Sequence, residues 1–518
     1  MGMIGADGRP SIFERITAAA AARGDAREEL RVEIPDDKPD NQIRFVPGGF
    51  DAVFGTTDDS DLQVYARTIV AAFSNAIRQP SDAAYESLYL KLTEISTISV
   101  VDEVLERIPL ELHDANRQAT AALARRIIRE AMDVEPIKMA VAILAIAGEP
   151  DDENLIRQIG QFEEITLFSL VGFTNLLPEP EDAIFRLAQR VHGWGRVHAV
   201  ERLAKTSDPR IKRWVLREGF RNAIMYEYLA YIAATTGGLL SALDDSEIED
   251  ELLLAAAEIL AALISGGPAQ DIEDYADGAA ACAAFLEHAA KRDVPSLPII
   301  SAVIDIKNFS QAEKTQKLRE AGWSARAVMG VRTVAAAFLQ KPGARLTVEA
   351  GLASEEKWGD FFIAAAVAPA FGIDPWPFQF ARQERRIDEQ WYFLMQTSDA
   401  ARIDQVLSLA RQQLDFAKVG SGPTDSLALG PDYEDDNALD FILQDLRRFP
   451  GQGWDLIKVG LRARGVRARN MAINALRDWG RDAWPNEAET ELGTALKRET
   501  DDEIRDRLSD LIAGRLKD

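Results

Sequence analysis

The sequence predicts an all-α protein, an irregular α-solenoid of stacked helical hairpins of the HEAT and armadillo kind. Three observations lead there. Apolar residues recur at helical spacing through most of the chain, and strand-like alternation is confined to Gln42–Val46 and Arg345–Glu349. The expected helices run roughly 10–18 residues, joined by short links rich in Gly, Pro, Asp and Asn. Two stretches also match internally: Arg196-x-x-Ala199-Val200-x-x-Leu203 and Arg469-x-x-Ala472-Ile473-x-x-Leu476 share small, branched and large apolar positions. Each opens a candidate helix pair, completed by Asp208–Glu218 and by Pro485–Arg498. Two-helix repeats of about 40–47 residues bury their apolar faces by stacking on their neighbours.

Along the chain, an alanine-rich first helix precedes an extended arm, residues 31–49, where Pro35, Pro39, Pro47 and paired glycines break helical pattern. Periodic stretches follow at Asp61–Gln79, Asp82–Thr97, Asn116–Met132 and Ile137–Ala147. Ser207-Asp208-Pro209 supplies an N-cap with proline at the first helical position, and Asp374-Pro375 does the same. Ser246-Glu-Ile-Glu249 reads as a capping box ahead of Ile248, Leu252, Ala256, Ile259 and Leu263 on one stripe. Ser265-Gly-Gly-Pro268 is a turn, and Ser398–Ala417 is helical. Lys418–Asn437 holds Gly420, Gly422, Pro423, Gly430 and Pro431 and then Asp432, Glu434, Asp435 and Asp436, the pattern of a linker. Thr500-Asp-Asp-Glu503 is a second capping box, before Ile504, Leu508, Leu511, Ile512 and Leu516. The expected organisation is therefore an N-terminal helix and arm (1–49), a helical-repeat array (50–417), a linker (418–437) and C-terminal helical repeats (438–518).

The chain has 518 residues, with 59 Lys+Arg against 84 Asp+Glu, a formal net charge of −25. That deficit disfavours duplex DNA, RNA and anionic lipid, whose binding rests on a basic footprint. It also keeps a large protein soluble. A single cysteine excludes a disulfide framework and a zinc site built on thiolates. No apolar run reaches the roughly 18 residues of a membrane span, and Met1–Pro10 lacks the basic start and apolar stretch of a secretory signal. The expected location is the cytosol. One segment departs from the acidity: Lys458, Arg462, Arg464, Arg467, Arg469 and Arg477 occur with no acidic residue from 458 to 477. With Ala468, Ala472, Ala475, Leu476 and Trp479 as the buried stripe, these cations are expected on the solvent face, or paired with the acidic cluster at 432–436.

Chemistry-bearing motifs are sparse. There is no Gly-x-Gly-x-x-Gly after a strand, no P-loop and no Gly-x-Ser-x-Gly elbow; Gly193-Trp-Gly195 and Gly420-Ser-Gly422 are fragments. Cys282 lies in Ala279-Ala-Ala-Cys-Ala-Ala-Phe and reads as a small buried hydrophobe. No haem, flavin or metal is expected. Of the four histidines His113, His192, His198 and His288, two cluster around Trp194 and Arg196. Trp194, His198, Glu201 and Lys205 share a helical stripe, but a metal needs three or four ligands, so His198 and Glu201 read as a surface pair. A dense polar stretch follows: Arg217, Glu218, Arg221, Asn222, Glu227, Tyr228 and Tyr231. Guanidinium forks beside carboxylates and tyrosines recognise an anion or lock one repeat to the next. The lock is expected at Arg217, Glu218, Arg221 and Asn222. Its alternative is a binding pocket of Trp194, Arg196, His198, Glu201, Arg217, Arg221, Asn222, Glu227, Tyr228 and Tyr231. Residues 358–393 are aromatic-rich (Trp358, Phe361, Phe362, Phe371, Trp376, Phe378, Phe380, Trp391, Tyr392, Phe393) and are expected to pack the core, with an apolar pocket as the alternative.

The segment His192-Gly-Trp-Gly-Arg-Val-His-Ala-Val-Glu-Arg-Leu203, with Arg217-Glu-Gly-x-Arg-Asn222 and Glu227-Tyr-Leu-Ala-Tyr231, resembles a group of uncharacterised bacterial helical proteins. Some of these carry the label limonene hydroxylase. The similarity extends to the Gly430-Pro element and Phe449-Pro-Gly-x-Gly-Trp454, from about residue 50 onward. A hydroxylase would imply haem, flavin or metal to activate oxygen, for which the sequence carries no signature. No catalytic residue is carried over. The chain is also comparable to HEAT-like DNA glycosylases, which use a concave basic surface, but only 458–477 offers a similar face. The expected function is a cytosolic, non-catalytic scaffold for a protein or peptide partner. The alternatives are a small-molecule binder or enzyme with a pocket at 194–231, and a DNA-repair glycosylase, which the acidity disfavours.

Overall fold

The computed structural model describes residues 9–24, 30, 32, 46–54, 60–112, 116–313, 315–356 and 359–516. Among them every regular element is helical and there is no strand. No helix is long and apolar enough to cross a membrane. The described residues divide into two compact units, one up to residue 340 and one from residue 341 on.

In the first unit, packing skips along the chain. Helix Ser60–Arg78 packs on Thr97–Leu112, which packs on Val134–Ala147, and that on Glu163–Leu176. The series continues through Trp194–Arg202, Glu227–Thr235, Asp250–Ser265, Leu297–Gln311 and Ala325–Leu339. Intervening helices lie against members of this row, Arg117–Glu130 on Val134–Ala147 and Glu181–Ala188 on Trp194–Arg202. Val134–Ala147 sits deepest: Ile137, Val141, Ile143 and Leu144 are fully buried, each contributing about 1.5–3 kcal/mol by transfer from water. The N-terminal helix Ile12–Arg23 starts at a reciprocal Ser11/Glu14 capping box, and its Ile12 amide donates to Ala131 O at 3.0 Å. The second unit packs Glu434–Leu446 on Val466–Trp479, and the latter on Asp502–Ile512. Trp391, Leu407, Leu443, Ile457 and Leu476 are among its buried side chains.

Several local expectations are corrected. Arg345–Glu349 is helical, inside Pro342–Ala353: Val348 is buried with Ala344, Gly351 and Leu352 at helical spacing, while Leu346 is exposed. Ser246 caps nothing. Its carbonyl and that of Ile248 accept from Lys291 Nζ and Arg292 Nη2, both at 2.8 Å, so the helix opens only at Asp250. At the C-terminal box, Asp501 and not Thr500 is the cap, accepting from Ile504 N at 3.0 Å, while the Thr500 and Asp501 amides donate to Glu499. Asp208 caps Pro209–Trp214 as expected, and a π-turn at Val215–Gly219 continues that helix. Residues 418–437 lie within the second unit: Arg464 N donates to Val419 O and Val466 N to Ser426 O, both at 2.9 Å, and Glu434, Asp435 and Asp436 form a helical first turn. Of the aromatic segment, Phe361, Trp376 and Trp391 are core, and Phe378, Tyr392 and Phe393 are exposed. Trp358, His113 and residues 41–45 lie outside the described residues.

Candidate functional site

The candidate stretch is organised by a residue the sequence reading passed over. Glu163, in the first turn of Glu163–Leu176, is 6% exposed and reaches the start of Trp194–Arg202. Its Oε1 accepts from the amides of His192 (2.7 Å) and Gly193 (2.9 Å), and its Oε2 from that of Gly195 (2.6 Å). A Cβ on Gly195 would lie 2.7 Å from both Glu163 Oε2 and Thr166 Oγ1, so glycine is what permits the approach. The Gly193-Trp-Gly195 fragment is thus an anion-binding helix start, and the anion is the protein's own carboxylate.

Behind this cap, Arg196 is buried. Its Nε donates to Val191 O at 2.7 Å, its Nη1 to Arg221 O at 3.2 Å and Glu218 O at 3.4 Å, and its guanidinium lies 5.2 Å from the Trp214 ring centre. Burial pulls its pKa down to about 10 against the opposing pull of Glu163 and Glu218. Burial, with Arg196 and Arg23 nearby, also lowers the His192 pKa to about 4, so that ring is neutral at pH 7. Asn222 closes the turn, donating to Phe220 O (3.0 Å) and Met225 O (2.8 Å) and accepting from Ile224 N (2.9 Å) and Met225 N (2.8 Å). Arg221 pairs with Glu258 at 2.7 Å and donates to Arg217 O; Arg217 reaches Glu249 at 2.8 Å on the exposed rim. The polar lock expected at Arg217, Glu218, Arg221 and Asn222 is therefore centred one helix earlier, on Arg196.

Trp194, His198 and Tyr228 do come together, with ring centres 6.1 Å apart for Trp194–His198 and 5.0 Å for Trp194–Tyr228. His198 Nδ1 lies 3.5 Å from Glu201 Oε2. That supplies two metal ligands at most, and among the described residues no group of three or more His, Cys, Asp or Glu side chains is arranged to hold an ion. Cys282 is fully buried and burial pushes its thiol pKa well up, away from the thiolate that ligates haem iron. His288 is also structural, with Nε2 3.0 Å from Leu243 O.

Tyr231 faces elsewhere. It lines a groove of about 400 Å³ with Tyr275, Thr235, Asp244, Asp274 and Asp277; none of the other nine candidates borders it. Asp274 pairs with Lys317 at 2.7 Å, while Asp244 and Asp277 have no ion-pair partner among the described residues. Asp277 occupies the N-cap position of Gly278–Ala290, yet its carboxylate accepts no cap hydrogen bond.

The basic segment is not a solvent-facing patch. Arg469, 1% exposed, pairs with Glu499 at 3.0 Å and donates to Ala463 O, Arg464 O and Thr424 O. Arg464 pairs with Asp436 at 2.6 Å, inside the acidic cluster anticipated as its partner, and Arg467 lies 3.4 Å from Asp440. Arg462 is exposed.

A second buried charge cluster was missed. Lys138 Nζ is 2.7 Å from Asp51, 3.0 Å from Glu135 and 3.3 Å from Glu164. Burial opposes its charge, but the three carboxylates prevail and raise its pKa. The sequence signal was present: one lysine inside the apolar run Ile137–Ala147.

No known protein family matches the chain, and no curated protein is significantly similar to it.

Proposed function

We propose that the chain is a non-catalytic, HEAT-type helical-repeat scaffold, whose first unit is an irregular solenoid that holds a basic segment of a protein or peptide partner. The observation that carries the reading is the groove at Tyr231, where Asp244 and Asp277 are uncommitted beside the half-buried Tyr231 ring. Unpaired carboxylates next to aromatic faces suit a lysine or arginine side chain, by charge and by cation–π contact. The solenoid reading is supported by the skipping order of packing, in which each helix of the row rests on the next-but-one in sequence. The non-catalytic reading is supported by the polar candidates around Trp194, whose hydrogen-bonding groups go largely to the fold itself.

The test is fluorescence anisotropy of the full chain with a labelled Lys/Arg-rich peptide and a Glu/Asp-rich control. Binding of the basic peptide should weaken at least about fivefold in Asp244→Asn/Asp277→Asn and fall with added salt. It should be unchanged in Asp102→Asn/Glu106→Gln, which removes two exposed carboxylates of another helix. Equal loss in both double variants would reduce the effect to net charge and defeat the reading.

A further inference from the structure

We infer that the second unit binds a compact phosphate-type oxyanion in the cavity between the Gly420-Ser421-Gly422 loop and helix Ala488–Arg498. The cavity, about 100 Å³, is bordered by that loop, by Lys458 and Arg462, and by Thr494, Arg498 and Glu491. A phosphate or a phosphate monoester head suits it, and a nucleotide does not.

The electrostatics single out two residues. Elsewhere in the same segment arginines are committed, Arg464 to Asp436, Arg467 to Asp440 and Arg469 to Glu499. The Arg462 and Arg498 side chains have no hydrogen bond or ion pair among the described residues, and both line this cavity. Lys458 is held by Glu487 at 3.0 Å. Of the two carboxylates at the cavity, Glu499 is neutralised by buried Arg469 and accepts the Thr500 and Asp501 amides. Glu491 alone opposes the free arginines, which leaves one uncompensated positive charge.

The loop adds neutral donors. A Cβ at position 420 would stand 3.0 Å from Phe416 O and 3.2 Å from Arg462 Nε, so glycine lets the loop backbone lie against the guanidinium. Among the described residues the Ser421 and Gly422 amides donate to no carbonyl, and the Ser421 hydroxyl has no partner. Two guanidinium forks, two amides and a hydroxyl offer more donors than a carboxylate's two oxygens use; a phosphate, with more acceptor oxygens, uses them better. The Gly-Ser-Gly fragment that is too short for a nucleotide loop is thus the backbone wall of a smaller anion site.

The test is isothermal titration calorimetry of the full chain with inorganic phosphate at low ionic strength, with acetate as the second arm. Saturable one-to-one binding of phosphate is expected, tighter than acetate. Arg462→Gln and Arg498→Gln should each weaken it about tenfold or more, since a charged hydrogen-bond donor is lost. Glu491→Gln should tighten it several-fold by removing the opposing charge. Arg447→Gln, the same charge loss at an exposed arginine outside the cavity lining, should change it less than about twofold. All four replaced side chains are at least partly exposed, so circular dichroism should match the parent. Absence of saturable phosphate binding would overturn the inference, as would acetate binding as tightly, equal loss in Arg447→Gln, or weakening in Glu491→Gln.

Discussion

Replacing Glu163 by alanine removes one carboxylate and strands three backbone amides at once, those of His192, Gly193 and Gly195. Hydrogen bonds to a charged acceptor contribute about 1.5–3 kcal/mol each, so the lower figure summed over three gives about 4–5 kcal/mol. Water entering the vacated space recovers part of this, and about 3–5 kcal/mol is the expected loss, as for other buried charges deprived of their partners. Glu163→Gln keeps one carbonyl oxygen for His192 and Gly193 but turns an NH₂ toward the Gly195 amide, a donor facing a donor; about 2 kcal/mol is expected. The control is Glu201→Gln, on the exposed side of helix Trp194–Arg202, expected within about 0.5 kcal/mol of the parent.

Because the chain has two compact units, a single unfolding midpoint would mix two transitions. Hydrogen exchange read by mass spectrometry over Trp194–Arg202 isolates the cap. A local loss of 3 kcal/mol corresponds to about a hundredfold faster exchange through local opening. The order Ala, then Gln, then the control is the expected ranking. Exchange in Glu163→Ala within about threefold of the parent would refute the argument that this carboxylate holds the helix start.

Arg196→Ala is expected to cost about 3 kcal/mol, since it leaves the carbonyls of Val191, Glu218 and Arg221 short of a buried donor; Arg221→Ala, 29% exposed at the side chain, should cost about 1 kcal/mol, and hydrogen exchange over Trp194–Arg202 compares the two variants. Lys138→Met should cost about 3–5 kcal/mol by leaving Asp51 buried beside Glu135 and Glu164, and Asp51→Asn in that background should restore part of it, read by hydrogen exchange over Val134–Ala147. Asp440, whose pKa burial raises to about 7 despite Arg467 and with Asp436 adding to the rise, binds a proton more tightly folded than unfolded. Its contribution is therefore fullest below pH 4 and is lost as pH rises through 7, so Asp440→Asn should gain stability relative to the parent between pH 5 and 8, by about 2–3 kcal/mol. A difference that does not change between those pH values would contradict the assignment.

How far the fold was legible follows from what each signal measures. Helical periodicity reports which face is buried, and that is set locally, so the helices at Ser60–Arg78, Asp82–Thr93, Arg117–Glu130 and Val134–Ala147 fall where the apolar stripes put them. Caps report a competition, and the winner depends on distant partners. Ser246 had the residue type of a cap, but Lys291 and Arg292 claim the carbonyls of its turn. Thr500 lost to Asp501 because Glu499, held by Arg469, takes the amides on either side of position 500. Gly/Pro content reports where helix stops and says nothing about whether the segment is packed, which is why Lys418–Asn437 reads as a linker and lies against Arg464 and Val466.

The candidate site was legible only where its parts are near in sequence. Trp194 and His198 are four residues apart on one helix, and their stacking follows from that spacing. Glu163 is thirty residues before Gly193 and belongs to another helix, so nothing in the local pattern links them, although a Gly-x-Gly at a helix start is itself a sign that an acceptor is close. The same logic separates the two arginine groups. Residue type places Arg462, Arg464, Arg467 and Arg469 together as a basic run, and the i, i+2, i+5, i+7 spacing cannot distinguish the buried Arg469 from the uncommitted Arg462. That distinction depends on where the acids of Glu434–Leu446 and Glu499 arrive in space. A charge run thus becomes a site only through the cations its acidic neighbours leave unpaired, and here Arg462 is left beside Arg498 and a glycine-bearing loop.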